Sequence, residues 1–565
     1  MPTKKQPPAG PAAHDTTVDL LVIGSGTGMA TALSAHEQGL KVLVVEKTPY
    51  VGGSTARSGG AFWIPANPAL LRDGSTDTPQ LGREYIGAVV GDESPEPRWR
   101  AFVDQGPQTV DMLERTTPME FFWAKGYSDY HPENPGGAAI GRTCECKPFD
   151  AAQLGEERAR LRPAVLEAPI PMPVTGADYK WMNLMVRTPL ESWPRIAWRA
   201  VEGIGGLLLK KEFTAGGQAL AAGLFTGLVR AGIPVWTRTG LVELLEEDGA
   251  VVGAVLEQDG RRVSVRAARG VVLAAGGFEH DMAMRREFQS STLAEDVSLG
   301  AEGNTGDAIK AARRLGAGLA VMEESWWFPA LQPLAKGEYP QVLLAERSLP
   351  GSLLVDETGR RFINESRDYM SFGQEVLRLR TQGRPLSQMW LVMDQSYRNR
   401  YVFAGVVFPA MSFPKPWYDA GIVVRGSQPR SLAQAMGVPP EDFAQTLERF
   451  NLEAGAGIDS EYHRGDSAYD RYYGDPTCLP NPNLRPLKGG LYAARVVLSD
   501  LGTCGGLRAD EHGRVLREDG SAIPGLYAQG NTAGNVFGRT YPGAGATIAQ
   551  GLVYGHIIAK HAATA

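Results

Sequence analysis

Residues 18–23 form an apolar run that stops at Gly24-Ser25-Gly26; a helix-compatible stretch reaches Gly39, and a second strand-like run over 41–45 ends at Glu46. Short apolar runs bounded by glycine are the pattern of buried strands, so the predicted order is strand, helix, strand. A right-handed crossover makes the two strands parallel neighbours. It brings Gly24 and Glu46 together at their carboxyl ends, the edge at which α/β sheets bind ligands. Residues 270–275 repeat the pattern and run into Gly276-Gly277-Phe278, which predicts a further strand of the same sheet.

Beyond residue 330 the regular alternation fades, and aromatic residues and prolines crowd Trp326 to Phe328, 397–413 and Trp417. From Leu491 the glycine-rich turns return, through 502–506 and 525–531, and lead to a final helix. The expected organisation is an α/β protein with a Rossmann-like dinucleotide-binding domain over 18–329 and 491–565. An α+β substrate (catalytic) domain over 330–490 is inserted into it, and a disordered leader occupies 1–17. No repeats or heptads are visible.

Residues 179–213 stand apart. Trp181, Trp193, Trp198, Ile196, Val201, Ile204 and Leu207 to Leu209 are interspersed there with Arg187, Arg195, Arg199, Lys210 and Lys211. The apolar runs are far shorter than the roughly 20 residues that span a bilayer, but interfacial helices combine tryptophan with basic residues in this way. Peripheral membrane contact and a helical excursion packed in the core are equally compatible with the composition.

At 565 residues the chain exceeds what one hydrophobic core serves, so at least two domains are expected, with room for a cofactor and a substrate between them. The 68 glycines point to many tight turns of the kind that cradle phosphate. A net charge of -6 offers no basic field for a phosphate backbone, which excludes nucleic acid as a partner. The four cysteines are sparse, and Cys144-Glu145-Cys146 is one residue short of the CxxC spacing, so reduced thiols in a cytoplasmic protein are expected. The first residues lack the apolar core of a secretory signal.

Gly24 and Gly26 permit a tight turn and the approach of a pyrophosphate to a helix N-terminus. Glu46, twenty-two residues beyond Gly24, stands where a carboxylate accepts hydrogen bonds from an adenosine ribose. The third glycine of the fingerprint falls on Met29, with Gly28 just before it, which leaves the helix-to-strand packing there open. Downstream lie Gly52-Gly53-Ser54-Thr55-Ala56-Arg57-Ser58-Gly59-Gly60, Gly216-Gly217-Gln218-Ala219-Leu220, Ala274 to Gly277, Asn304-Thr305-Gly306-Asp307 and the 525–531 turn. Together, over almost the whole chain, these segments resemble the fumarate reductase and ketosteroid dehydrogenase flavoprotein superfamily. The resemblance implies FAD, held by Gly24, Gly26, Thr27, Gly28, Glu46, Lys47, Gly53, Ser54, Thr55, Ser58, Gly59, Gly60, Ala275, Gly276, Asn304, Asp307, Gly530, Asn531, Gly545, Ala546 and Ile548.

Arg539-Thr540-Tyr541-Pro542-Gly543-Ala544-Gly545 opens the last helix as does a tyrosine-x-x-x-glycine segment in the 3-ketosteroid Δ1-dehydrogenases. That likeness implies Tyr541 and Gly545 as hydroxyl and amide donors to a steroid's 3-keto oxygen, acidifying carbon 2 as an oxyanion hole would. It also implies Tyr369 as the base that removes the carbon-2 proton, assisted by Tyr130, with Tyr127 close enough to compete for the second role. Hydride from carbon 1 then passes to FAD. Tyrosine ionises near pH 10, so the base requires hydrogen bonds or positive potential. Trp326, Trp327, Phe328 and Phe413 suit a flat apolar pocket. No metal is required.

The implied partners are a small steroid, an external electron acceptor such as a quinone, and a membrane touched through 179–213, with the protein cytoplasmic or peripheral on the inner face. The long insertion is similar in character to enzymes that take cholest-4-en-3-one. Three alternatives remain: a fumarate-reductase-like enzyme, a 3-ketosteroid Δ4-(5α)-dehydrogenase, and a flavin-binding membrane-associated protein without turnover. Against the first, His131, His280, His463, His512 and His556 lie outside any recognisable dicarboxylate clamp. Against the second, Pro542 and Ala544 do not match the serine-containing pattern of that branch.

Overall fold

The computed structural model describes residues 16–164 and 171–565. The central sheet runs Arg514–Leu516, Ala522–Ala528, Arg261–Leu273, Thr16–Ile23, Val42–Val45, Val235–Trp236, and all its junctions but the first are parallel. Leu20, Leu21 and Val22 are wholly buried. A strand segment covered on both faces requires an apolar run, and Leu20 to Ile23, beyond Asp19, is such a run. Leu20 pairs with Val42 and Ile23 with Val45, so the strands end level, beside Gly24 and Glu46. The leader is shorter than expected: Thr16 and Thr17 already pair with Val265 and Arg266 in the first strand. The rest of the expected leader lies outside the described residues.

Between the first two strands the helix Gly28–Glu37 buries its whole N-terminal half. Met29, at the expected third glycine position, is wholly buried, and the close approach is made one residue earlier. A Cβ on Gly28 would lie 2.9 Å from Val22 Cγ1 and 3.0 Å from Ala274 Cβ. The hairpin Thr239–Glu247 and Ala250–Gln258 extends the sheet antiparallel along Arg261–Leu273.

The second sheet is antiparallel and built around the long strand Leu491–Thr503, flanked by Ser325–Leu331 and Met389–Asp394, with Ser352–Asp356 and Gln341–Val342 outside them. Ser325–Leu331 crosses the expected limit at 330 and Leu491–Thr503 lies wholly beyond the one at 490, because both strands also connect the two units. Thr503 Oγ1 accepts from the Phe278 N–H at 3.1 Å, beside the Gly276-Gly277 turn of the central sheet. A small sheet of Ala61–Trp63, Thr143–Cys146 and Phe121–Trp123 closes the site from the other side. Its Cys144 and Cys146 are free thiols that burial pushes up to about 12.

Residues 179–213 fold mainly as the end of Gly176–Asn183 and the helix Pro189–Leu208. In the second helix only Ser192, Gly203 and Gly206 are buried, whereas Leu190 is 86% and Leu208 82% exposed, with Trp193, Trp198 and Val201 also outward. This helix is not packed in the core. Among the described residues no helix is long and apolar enough to cross a membrane.

Gly28→Val would force side-chain atoms into the Val22 and Ala274 contacts. Thermal unfolding is expected to show a loss of about 1–3 kcal/mol.

Candidate active site

A cavity of about 570 Å³ opens at the carboxyl ends of the parallel strands and continues between the two units. Its size is in the range of small-molecule sites. At one end lie Gly24, Gly26, Thr27, Glu46, Lys47, Gly53, Ser54, Thr55, Ser58, Gly59, Gly60, Ala275, Gly276, Asn304, Asp307, Gly530, Asn531 and Ile548. At the other lie Tyr369, Tyr541 and Gly545. Three expected site residues do not line it. Gly28 packs beneath the turn, Ala546 is wholly buried behind Gly545, and Tyr130 stands one layer back against Tyr369 and Tyr541.

The strand-end turn has a specific cause. Gly24 has φ +111°, and a Cβ there would stand 2.2 Å from the carbonyl oxygen of Ala274, so only glycine lets the two strand ends meet. The helix that follows begins at Thr27 without a side-chain cap, leaving its first amides and positive dipole end towards the cavity. Glu46 is fixed from both sides: Oε2 accepts from Ser25 Oγ at 2.6 Å, and Oε1 from the Thr48 N–H at 2.9 Å. These are the features a dinucleotide needs: a cradle without side chains, an uncapped helix start for pyrophosphate and an oriented carboxylate for ribose. Lys47 and Asp307 instead bind each other at the rim, at 2.6 Å.

Asn304 donates to Ser54 Oγ at 2.9 Å and to Glu279 Oε1 at 2.6 Å. Burial pushes the Glu279 carboxyl up to about 7. Arg57 and Arg162 also line this end; Arg57 lies 3.8 Å over the Tyr339 ring, and Arg162 pairs with Glu302 at 2.6 Å. Neither was anticipated, although Arg57 stands inside the 52–60 glycine motif.

At the other end, the Gly545 N–H donates to Tyr541 Oη at 3.4 Å, which brings the two groups together at one point of the cavity wall. Gly545 takes φ +92°, and a Cβ there would sit 2.3 Å from the Ala61 carbonyl oxygen, so only glycine fits. The Tyr541 ring lies 4.7 Å from Trp326, 5.0 Å from Tyr130 and 5.4 Å from Tyr369, centroid to centroid. Tyr369 begins the helix Tyr369–Thr381, capped by Asp368, and Phe328 packs on it at 4.6 Å. Phe328 lines the cavity, while Phe413 packs with Phe403 and Trp417 away from it.

Burial pushes Tyr130, Tyr369 and Tyr541 all above the usual tyrosine range. Tyr130 lies near enough to Tyr369 to oppose its rise, but its hydroxyl makes no hydrogen bond of normal geometry. Tyr127 does line the cavity, and it stacks on Tyr472 at 4.4 Å. Tyr469 and Tyr473 complete the cluster, 4.7 Å from Tyr130 and 5.5 Å from Tyr127. These residues come from a short helix with no motif to announce them.

Tyr130 and Tyr541 are tied through one atom. The Pro542 carbonyl accepts from the Tyr130 N–H at 3.0 Å and from Tyr85 Oη at 2.7 Å, and Tyr85 Oη accepts from the His131 N–H. Beside it Asp129 accepts from Trp63 Nε1 at 2.8 Å and pairs with the buried Arg142; burial pushes the Asp129 carboxyl up to about 6.

A family model described as FAD binding domain matches residues 19–548. The chain is 43% identical over 559 residues to a protein named 3-oxosteroid 1-dehydrogenase from Mycolicibacterium smegmatis, with 96% of each chain covered. A protein of the same name from Mycobacterium tuberculosis is 42% identical over 563 residues, covering 96% of this chain and 98% of that one. The solved structure of 3-ketosteroid delta1-dehydrogenase from Sterolibacterium denitrificans, in complex with 1,4-androstadiene-3,17-dione, is similar with a TM-score of 0.91 and 34% identity. The likeness covers 97% of this chain and all (100%) of that one.

Tyr85→Phe removes the hydroxyl that joins Pro542 to His131 and leaves the His131 N–H unpaired. A stability loss of about 1–3 kcal/mol is expected by thermal unfolding, with cofactor content unchanged.

Proposed function

The chain belongs to the FAD binding domain family, and from that membership we propose that it is an FAD-dependent 3-oxosteroid 1-dehydrogenase. It introduces a double bond between carbons 1 and 2 of a 3-keto-4-ene steroid. The observation that carries this reading is the convergence of the Tyr541 hydroxyl and the Gly545 N–H. Two donors aimed at one volume in a buried site hold a ketone oxygen and stabilise the negative charge that develops on it.

That polarisation acidifies carbon 2. Tyr369, whose ring touches that of Tyr541, is the residue assigned to take the carbon-2 proton. Tyr130 stands edge-on to both rings, in position to donate to the Tyr369 oxygen as charge forms there. Desolvation makes the Tyr369 oxygen strongly basic once charged and opposes its charging beforehand. FAD, when bound, supplies the two-electron acceptor for the hydrogen leaving carbon 1. The residues assigned to hold it are Gly24, Gly26 and Thr27 at the pyrophosphate and Glu46 at the ribose, with Asn304 and Asn531 further along the cavity.

Turnover requires an external electron acceptor such as a quinone. Peripheral contact with the inner face of a membrane belongs to the same proposal. Its support is the outward apolar face of Pro189–Leu208, which carries Trp193 and Trp198 and continues into Leu209, with Arg195, Lys210 and Lys211 nearby. Such a face buries in the headgroup boundary while its cations meet anionic lipid.

Adding a 3-keto-4-ene steroid to the yellow protein without oxygen should bleach the flavin absorbance; an oxidised spectrum that persists overturns the assignment. Tyr541→Phe should retain FAD and lose about 10²–10³-fold in kcat. For the membrane contact, Trp193→Glu combined with Trp198→Glu should weaken sedimentation with phosphatidylglycerol vesicles by about tenfold or more. Unchanged binding removes the helix from that role.

A further inference from the structure

The tyrosines at the reacting end of the cavity are carried and backed by segments far apart in sequence: the strand Ser325–Leu331, the helix Tyr369–Thr381 and residues 539–545. The strand supports two of the rings, with Trp326 against Tyr541 at 4.7 Å and Phe328 against Tyr369 at 4.6 Å. The helix lies close on the strand, since a Cβ on Gly373 would stand 2.1 Å from Trp327 Cβ. Tyr541 meets Tyr369 at 5.4 Å, ring to ring. Ring packing tolerates small displacements, whereas hydrogen bonds fix both distance and angle.

One group of polar contacts joins all three segments. Arg539 Nε and Nη2 donate to Glu324 Oε1 at 3.0 and 2.8 Å, and Glu324 Oε2 accepts from Trp327 Nε1 at 3.0 Å. The Arg539 carbonyl accepts from Gln374 Nε2 at 2.8 Å, and Gln374 lies on the helix that Tyr369 begins. Arg539 thus reaches the strand through its side chain and the helix through its main chain, two residues before Tyr541. Glu324 is itself anchored: its carbonyl accepts from the Cys504 N–H at 3.0 Å and from Gln289 Nε2 at 3.2 Å. Its side chain is only 4% exposed, so the charge there is offset by Arg539 and not by water. Glu323 lies farther from the same guanidinium, at 3.9 Å.

We propose that Arg539 is a positioning residue for proton removal: bonded to Glu324 and Gln374, it holds the Tyr541 hydroxyl in register with Tyr369, so that the oxygen that polarises the ketone and the oxygen that takes the carbon-2 proton keep one separation. The inference rests on the proposed function. In the step it serves, the carbon 2 to hydrogen bond breaks and the proton bonds to the ionised Tyr369 Oη. The electron pair passes into the enolate whose oxygen Tyr541 and Gly545 hold. Arg539 does not line the cavity and keeps its proton throughout.

The test compares FAD-loaded Arg539→Met, Arg539→Lys, Gln374→Ala and the Met/Ala double variant by anaerobic bleaching of the flavin with a 3-keto-4-ene steroid and by steady-state kcat and KM. A misplacement of about 1 Å costs on the order of 10²-fold, so Arg539→Met should lose about ten- to a hundredfold in kcat, with KM and FAD content within about twofold of wild type. Lys, which still donates to Glu324, should fall between Met and wild type. The double variant should be within about twofold of Arg539→Met, because both side chains act through one segment. With substrate deuterated at carbon 2, the isotope effect on bleaching in Arg539→Met should be at least as large as in wild type. An unchanged kcat, a loss confined to KM or FAD content, or a smaller isotope effect overturns the proposal. If Arg539→Met does not fold, Gln374→Ala decides, since it leaves the Glu324 pair intact: a lowered kcat at constant KM is expected, and a wild-type kcat overturns the proposal. A wild-type protein that itself fails to bleach removes the proposed function instead, whereas bleaching at one rate in wild type and variants removes only the role of Arg539.

Discussion

The site depends on the backbone between Tyr541 and Gly545 being held from three sides. The Pro542 carbonyl collects the Tyr130 N–H and the Tyr85 hydroxyl, the Ala544 carbonyl accepts from Thr143 Oγ1 at 3.0 Å, and Gly545 rests against the Ala61 carbonyl in a conformation that only glycine adopts without strain. The four tethers come from three parts of the cofactor-binding unit: Tyr85 from the helix Pro79–Val90, Tyr130 from a loop, and Thr143 and Ala61 from the small sheet. Because the tethers act on main-chain atoms, they set the direction of the Gly545 N–H as well as the start of the final helix. A donor fixed by backbone contacts does not have to reorganise as charge develops, which is what makes such a donor effective.

The cost of that arrangement is desolvation. Tyr130, Tyr369 and Tyr541 lie in a cluster with Tyr127, Tyr469, Tyr472 and Tyr473, and burial pushes every one of them upward. Phenols close together at first compete for protons, since charging one disfavours charging the next. The same crowding lets hydroxyls share a proton once one of them is charged. A chemistry that removes a proton from carbon therefore has to draw on polarisation of the substrate and on fixed charge around the cluster. In the proposed reading, Tyr541 and Gly545 supply that polarisation.

How much of this was legible in the sequence follows from which constraints are local. The parallel strands were, because burial on both faces demands unbroken apolar runs, and so was the Gly24 turn, where two backbones meet. Gly28 shows the limit of a fingerprint: the close approach to Val22 is present, one residue before the place the pattern assigns. Tyr369, Tyr541 and Gly545 could be found because they sit in short segments of fixed spacing. Tyr127 could not be separated from Tyr130, since which of two tyrosines turns inward depends on Asp129 and its bonds to Trp63 and Arg142. Tyr469, Tyr472 and Tyr473 carried no signal, because their proximity is created by a chain return more than three hundred residues after Tyr130. The borders of the inserted unit were misjudged for a similar reason. Ser325–Leu331 and Leu491–Thr503 are at once strands of its sheet and connections to the other unit.

The basic residues of 179–213 were read as one set, and the structure divides them. Arg187 is committed to Asp475 at 2.9 Å. Arg199 pairs at 2.7 Å with Asp178, which in turn accepts from Thr175 and completes the capping box of Gly176–Asn183. Thr175, Gly176 and Tyr179 line the cavity, and Tyr179 Oη reaches the buried Glu346 at 3.1 Å. Arg199 thus braces the start of a helix that lines the cavity, although it sits on the exposed helix itself. Charge reversal there would act on the pocket as well as on any lipid contact, because it would place a negative group beside Asp178 at a buried cap. Arg195, Lys210 and Lys211 are not bound in this way to the wall. The outward surface of the helix consequently consists of leucines and tryptophans with these three cations beside them, and the proposed lipid contact rests on that surface. The ion pair at Arg199 joins that surface to the chamber in which the substrate would lie.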